Sequence, residues 1–122
     1  MRSDYDRQIF VFGAYEAGRH GKGSALYAKK KHGAIYGQGF GLQGDSFGIP
    51  TKDSNLRVLN LERIEVYVEA FLEFAKRNPT WLFHVVPFGT QLACYNRGQI
   101  GGILRKHGLP DNVVLTHHWL TD

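Results

Sequence analysis

The 122-residue chain has room for one hydrophobic core and not for two. Its 43% hydrophobic and 21% charged residues exclude a disordered or fibrous chain, and a net charge of +4 is too modest to define a partner. Cys94, the only cysteine, excludes an intrachain disulfide and a thiolate-rich metal site.

Residues 1–8 are polar, and the apolar run behind them, residues 9–12, is too short for a signal-peptide core or a membrane span. The chain therefore reads as cytoplasmic, with no membrane partner. Ile9-Phe10-Val11-Phe12 is a continuous β-branched and aromatic run, which predicts a strand buried on both faces and ended by Gly13. From Ser24 the residue types become helical. Lys29-Lys30-Lys31 suit the C-terminal end of the helix dipole, and Gly33 stands where a C-terminal cap is expected. The glycine-rich stretch 33–48 is broken by aromatics and predicts an ordered loop, followed by a short strand over Ser46 to Ile49 that Pro50 ends.

Leu61 to Lys76 predicts the clearest helix. Asn60 stands at its N-cap, and Leu61, Ile64, Val68, Phe71, Leu72 and Ala75 share one apolar face at three- and four-residue spacing. Asn78-Pro79 stops it. Residues 81–86 predict a second buried strand, Gln99 to Lys106 a short helix and Val113-Val114-Leu115 a last strand. Strands alternating with helices predict a single three-layer α/β domain over residues 1–122, its mainly parallel sheet flanked by helices. Ligands of such sheets sit beyond the carboxyl ends of the strands, where the loops 13–23 and 88–98 both emerge.

The first of these loops carries the chemistry. Gly18-Arg19-His20-Gly21-Lys22-Gly23-Ser24-Ala25 joins strand to helix. Gly21 and Gly23 remove side-chain bulk, Ser24 and Ala25 open the helix with free N–H groups, and Arg19, His20 and Lys22 add positive charge. Phosphate needs this combination of close backbone approach and aligned donors. The spacing is neither a Walker loop nor a dinucleotide fingerprint. The plainer alternative is a glycine-rich turn with a solvated basic tip.

The blocks Ile9–Gly13, Ala17–Ala25, Tyr36-Gly37-Gln38-Gly39 and Ile49-Pro50-Thr51-Lys52 together resemble a family of small phage and bacterial proteins, itself similar to macro domains, the modules that bind ADP-ribose. The resemblance spans roughly residues 8–104. It implies a macro-domain-like fold in which Gly21, Lys22, Gly23, Ser24 and Ala25 form one wall of the site and Gly89, Thr90, Gln91 and Leu92 the other, with Gly13 and Arg19 also among the ligand-binding residues. Two departures stand out. Ala14-Tyr15 replaces the Ser-Asn pair of relatives, and asparagine there is a natural ribose partner. Lys52 matches the nucleophile of ADP-ribosyl-glutamate hydrolases, but Ala93 stands in the place of their assisting aspartate.

The leading expectation is therefore binding of ADP-ribose or a related phosphate-containing nucleotide, with no cofactor. The alternative is a hydrolase of an ADP-ribosyl ester or nucleotide signal, using Lys52 with Asp45 or Asp53, although aspartates in glycine-rich loops most often make turns. His117-His118 lack the spacing of a metal pair, and no metal site is expected. A nucleic-acid or protein partner on the basic face around Lys29 to His32 ranks last, because lysines on a helix are most economically solvated.

Overall fold

Ile9 and Val11 face one side of the first strand, and Phe10, Phe12 and Ala14 face the other, so both faces of the sheet must be covered. The computed structural model describes residues 4–89, 95–116 and 119. Its elements run β1 (Arg7–Tyr15), α1 (Gly23–Lys31), β2 (Gly41–Gln43), β3 (Ser46–Lys52), α2 (Leu61–Lys76), β4 (Trp81–Val85), α3 (Arg97–Lys106) and β5 (Val113–Leu115). The five strands form one sheet in the order β2-β3-β1-β4-β5. β1 pairs in parallel with β3 and β4, β4 pairs in parallel with β5, and β2 is antiparallel to β3.

The larger core lies on the side of α2 and α3. Ile64, Val68, Phe71, Leu72 and Ala75 of α2 and Ile100, Ile103 and Leu104 of α3 pack there against Ile9, Val11, Phe47, Ile49, Phe83 and Val85. Each fully buried side chain of this kind contributes about 1.5–3 kcal/mol relative to exposure. α1 covers the opposite face with less, because Ala28 is its one buried residue, resting against Phe12 and Ala14. The expected three-layer α/β architecture with a mainly parallel sheet is observed.

The boundaries differ in ways that have physical reasons. β1 runs through Gly13 to Tyr15 rather than ending at the glycine. β3 likewise continues through Pro50 to Lys52. Proline is tolerated there because β2 pairs only with residues 46–48 and Val58 bridges β3 only at Lys52, so Ile49 and Pro50 have no ladder partner on that side. β2 itself lies in the stretch expected to be a loop. It forms a hairpin with β3 around Gly44-Asp45, and the positive φ of Gly44 (62°) matches a tight two-residue turn. α3 starts at Arg97, two residues earlier than expected, because Asn96 and Gln99 form a capping box.

Two contacts tie the layers together. The Asn112 side-chain amide donates to the carbonyl oxygens of Ala75 and Asn78 at 2.9 and 3.0 Å, closing the C-terminal end of α2 onto the start of β5. The Trp119 indole N–H donates to the Val85 carbonyl at 2.7 Å.

Candidate functional site

The parallel register places the ends of β1, β3 and β4 at one edge of the sheet. Val11 is level with Val85, and Gly13 is level with Ile49. β4 therefore stops short of β1, and the chain behind it crosses the end of β1. A Cβ on Gly13 would lie 2.7 Å from the Phe88 Cβ, so glycine alone allows this crossing. The crossing strand of chain then turns at Gly89 (φ 67°), which packs on Thr51 of β3 and Ile100 of α3. Tyr95 holds the far side, its amide donating to the Gly89 carbonyl at 2.9 Å and its hydroxyl to the Leu59 carbonyl at 2.8 Å. Gly13 and Gly89 are thus brought together at the carboxyl edge. Thr90, Gln91 and Leu92, with Ala93 and Cys94, lie outside the described residues, as do His117 and His118.

From the end of β1 the other loop leads to α1. Lys22 occupies the N-cap with extended backbone and makes no side-chain cap, so the first amides of α1 keep their donors free of a capping side chain. Gly23 follows with φ 58°, a conformation that favours glycine. Arg19, Gly21, Lys22 and Gly23 are exposed, and Ser24 and Ala25 are half-buried. A Cβ on Gly21 would meet nothing within 4 Å. The fold itself therefore places no steric demand for glycine at 21.

His20 behaves differently from its basic neighbours. The sequence suggests a charge facing the ligand, but the side chain is buried, 1% exposed, edge-on to Phe12. Its Nε2 lies 3.0 Å from the Gln43 Oε1, which also accepts the Ile35 amide. An amide oxygen only accepts, so Nε2 is the donor, and Nδ1 is buried with no partner among the described residues. The loop is held down by an inward histidine at φ 53° while Arg19 and Lys22 point outward.

The three candidate catalytic groups are not assembled. Lys52 ends β3 at the site edge and is half-buried. Asp45 precedes the other end of that strand, roughly 20 Å away by strand geometry. Its carboxylate is bound there by the Arg7 guanidinium at 2.9 Å. Asp53 adjoins Lys52, but its Oδ1 accepts the amides of Asn55 and Arg57 at 2.8 and 3.0 Å, which is a turn-making role.

A polar cluster invisible to sequence reasoning flanks this edge. Glu16, directly after β1, accepts on Oε2 from both Arg63 (3.1 and 2.7 Å) and the Tyr67 hydroxyl. The Tyr67 hydroxyl first and Arg63 second hold the Glu16 carboxyl below its ordinary range. Burial, reinforced by Glu16, raises the Tyr67 phenol, and Glu16 raises the Arg63 guanidinium. Arg63 and Tyr67 are one turn apart on α2, which is legible, but their partner stands 47 and 51 residues upstream. Asn60, Glu62, Arg63, Val66 and Tyr67 also line a broad, open depression of about 550 Å³ on the outer side of α2. Among the described residues, neither glycine loop contributes to it.

No family model matches the sequence, and no curated protein does. The narrower resemblance to small phage and bacterial proteins therefore gains no support. Among solved structures, the chain is similar to a macrodomain protein from Streptomyces coelicolor, with a TM-score of 0.61, 12% identity, and coverage of 94% of this chain and 90% of that one. At this identity the likeness concerns the fold. The chain has a macrodomain-like α/β fold with a mixed five-stranded sheet and three helices. No helix among the described residues is long and apolar enough to cross a membrane.

Proposed function

We propose that this chain binds ADP-ribose or a closely related phosphate-containing nucleotide at the carboxyl edge of its sheet, with the phosphates against residues 21–25. The observation that carries this reading is the entry into α1. An exposed glycine-rich loop bearing Arg19 and Lys22 runs into a helix whose first amides have no capping side chain. Such a terminus presents N–H donors and the positive end of the helix dipole to an anion. The macrodomain-like fold adds the second support, since the solved neighbour is itself described as a macrodomain protein. Gly13 and Gly89 supply the opposing wall.

Binding is favoured over turnover. Lys52 stands at the edge without Asp45, and Asp53 spends an oxygen on its own turn. A lone lysine lacks the base that would activate it or the acid that would assist a leaving group.

Titration calorimetry with ADP-ribose, NAD, AMP and adenosine tests the proposal. The expected order places ADP-ribose first and adenosine, which has no phosphate, last. Ser24→Glu adds a carboxylate in the first turn of α1, which the helix dipole tolerates but a phosphate does not, so it is expected to abolish binding and keep the fold. Absence of heat from every phosphate-bearing compound overturns the reading.

A further inference from the structure

Residues 17–44 contain Arg19, Lys22, Lys29, Lys30 and Lys31 and not one aspartate or glutamate. All five cations are exposed, and no described carboxylate pairs with any of them. The two carboxylates that bound this stretch, Glu16 and Asp45, are neutralised by Arg63 and Arg7. The positive field on this side of the molecule is therefore uncompensated.

Charge alone would be a solvated helix face. The structure adds an aromatic platform within it. The Lys29 ammonium stands 5.4 Å from the centroid of the Tyr36 ring, which remains 63% exposed. The loop that carries Tyr36 is fixed to the glycine loop, the Gly37 amide donating to the Gly18 carbonyl at 2.8 Å. Lys22 stands at the N-cap of α1, and Lys29 and Lys30 lie towards its C-terminal end. Arg19, Lys22, Lys29 and Lys30, with Tyr36 against Lys29, thus make an exposed basic strip from the loop before α1 along a helix about 13 Å long. α1 is free to serve it because it contributes only Ala28 to the core.

We infer that this strip binds single-stranded nucleic acid, its cations following the phosphates and Tyr36 stacking on a base. A positive track with an exposed ring is the combination such strands require, because every base offers a face to stack while duplex bases are already stacked. This inference shares Arg19 and Lys22 with the proposed nucleotide site and rests beyond it on Lys29, Lys30 and Tyr36.

Fluorescence anisotropy with labelled ten-nucleotide single strands of DNA and RNA, at several salt concentrations, tests it with the full chain. With about three or four phosphate contacts, affinity is expected to fall roughly 20- to 50-fold between 50 and 200 mM salt. Lys29→Gln with Lys30→Gln is expected to flatten that dependence, and Tyr36→Ala to weaken binding about tenfold while Tyr36→Phe does not. Tyr36 is a surface residue, so these variants retain the fold, which the melting temperature verifies. No binding at 50 mM salt overturns the inference. So does binding that Tyr36→Ala leaves unchanged, or equal retention on phosphatidylserine vesicles, since either result describes a surface for any polyanion. Weakened oligonucleotide binding in Tyr36→Ala with ADP-ribose affinity unchanged separates this inference from the proposed nucleotide site.

Discussion

The same substitution at two glycines is expected to have opposite effects. In Gly13→Ala the new methyl would stand 2.7 Å from the Phe88 Cβ and 3.3 Å from its Cα, so β1 and the chain leaving β4 must move apart. Overpacking of this kind costs about 1–3 kcal/mol. For a domain of this size each kcal/mol lowers the melting temperature by roughly 3–5 °C. In Gly21→Ala the methyl meets nothing within 4 Å, and the backbone there is not left-handed, so stability is expected to be unchanged or slightly higher. The methyl would nonetheless stand where a phosphate approaches the loop. A loss of about tenfold in affinity for ADP-ribose, roughly 1.4 kcal/mol, is expected. Melting curves and calorimetric titrations of both variants read the contrast directly. If Gly21→Ala melts as low as Gly13→Ala, the glycine serves the fold. If it keeps full affinity, no ligand approaches the loop there.

His20→Ala would remove a buried ring from beside Phe12 and strip the Gln43 side-chain oxygen of one donor, so a loss of about 2–3 kcal/mol in urea unfolding is expected, with faster proteolysis of the glycine loop. An unchanged unfolding midpoint would show that the ring does not anchor the loop. Glu16 has a folded-state pKa below its unfolded value, so its contribution is complete above the ordinary glutamate value of about 4.3 and is lost as pH falls through the lowered one. Glu16→Gln is therefore expected to flatten the acid limb of the stability curve and, because Arg63 is 58% exposed, to cost only about 1 kcal/mol at neutral pH. Parallel acid limbs for the two proteins would contradict this.

The sequence made legible those features that depend on neighbours along the chain. α2 was fully determined by its apolar face and by Asn60, whose side chain accepts the Arg63 amide at 2.9 Å. The mainly parallel pairing followed from the alternation of strand and helix, whereas the strand order β2-β3-β1-β4-β5 did not. β2 was missed because three residues of glycine-rich chain carry little pattern, although Gly44-Asp45 between two short runs is itself a hairpin signal. Pro50 misled because the rule against proline in a strand is about ladders, and whether β3 had a second ladder depended on the length of β2.

At the site, local residue chemistry identified the uncapped start of α1 but not which way its basic residues face. His20 turns inward only because Gln43, 23 residues away, offers an oxygen beneath the loop. Asp45 seemed close to Lys52 in sequence, yet the extended strand between them is what separates them. The Glu16, Arg63 and Tyr67 cluster joins two elements that only the packing of α2 against the sheet brings together. Contacts of that range leave no local signature.

Amide chemical-shift mapping with ADP-ribose tests the central claim most directly, because it reports the donors themselves. Saturating ligand is expected to move the backbone amides of Gly21, Gly23, Ser24 and Ala25 most strongly, with Gly89 next, and to leave those of α2 beyond its first turn in place. Shifts confined to the depression around Arg63, Val66 and Tyr67, or no shift in the first turn of α1, would contradict it.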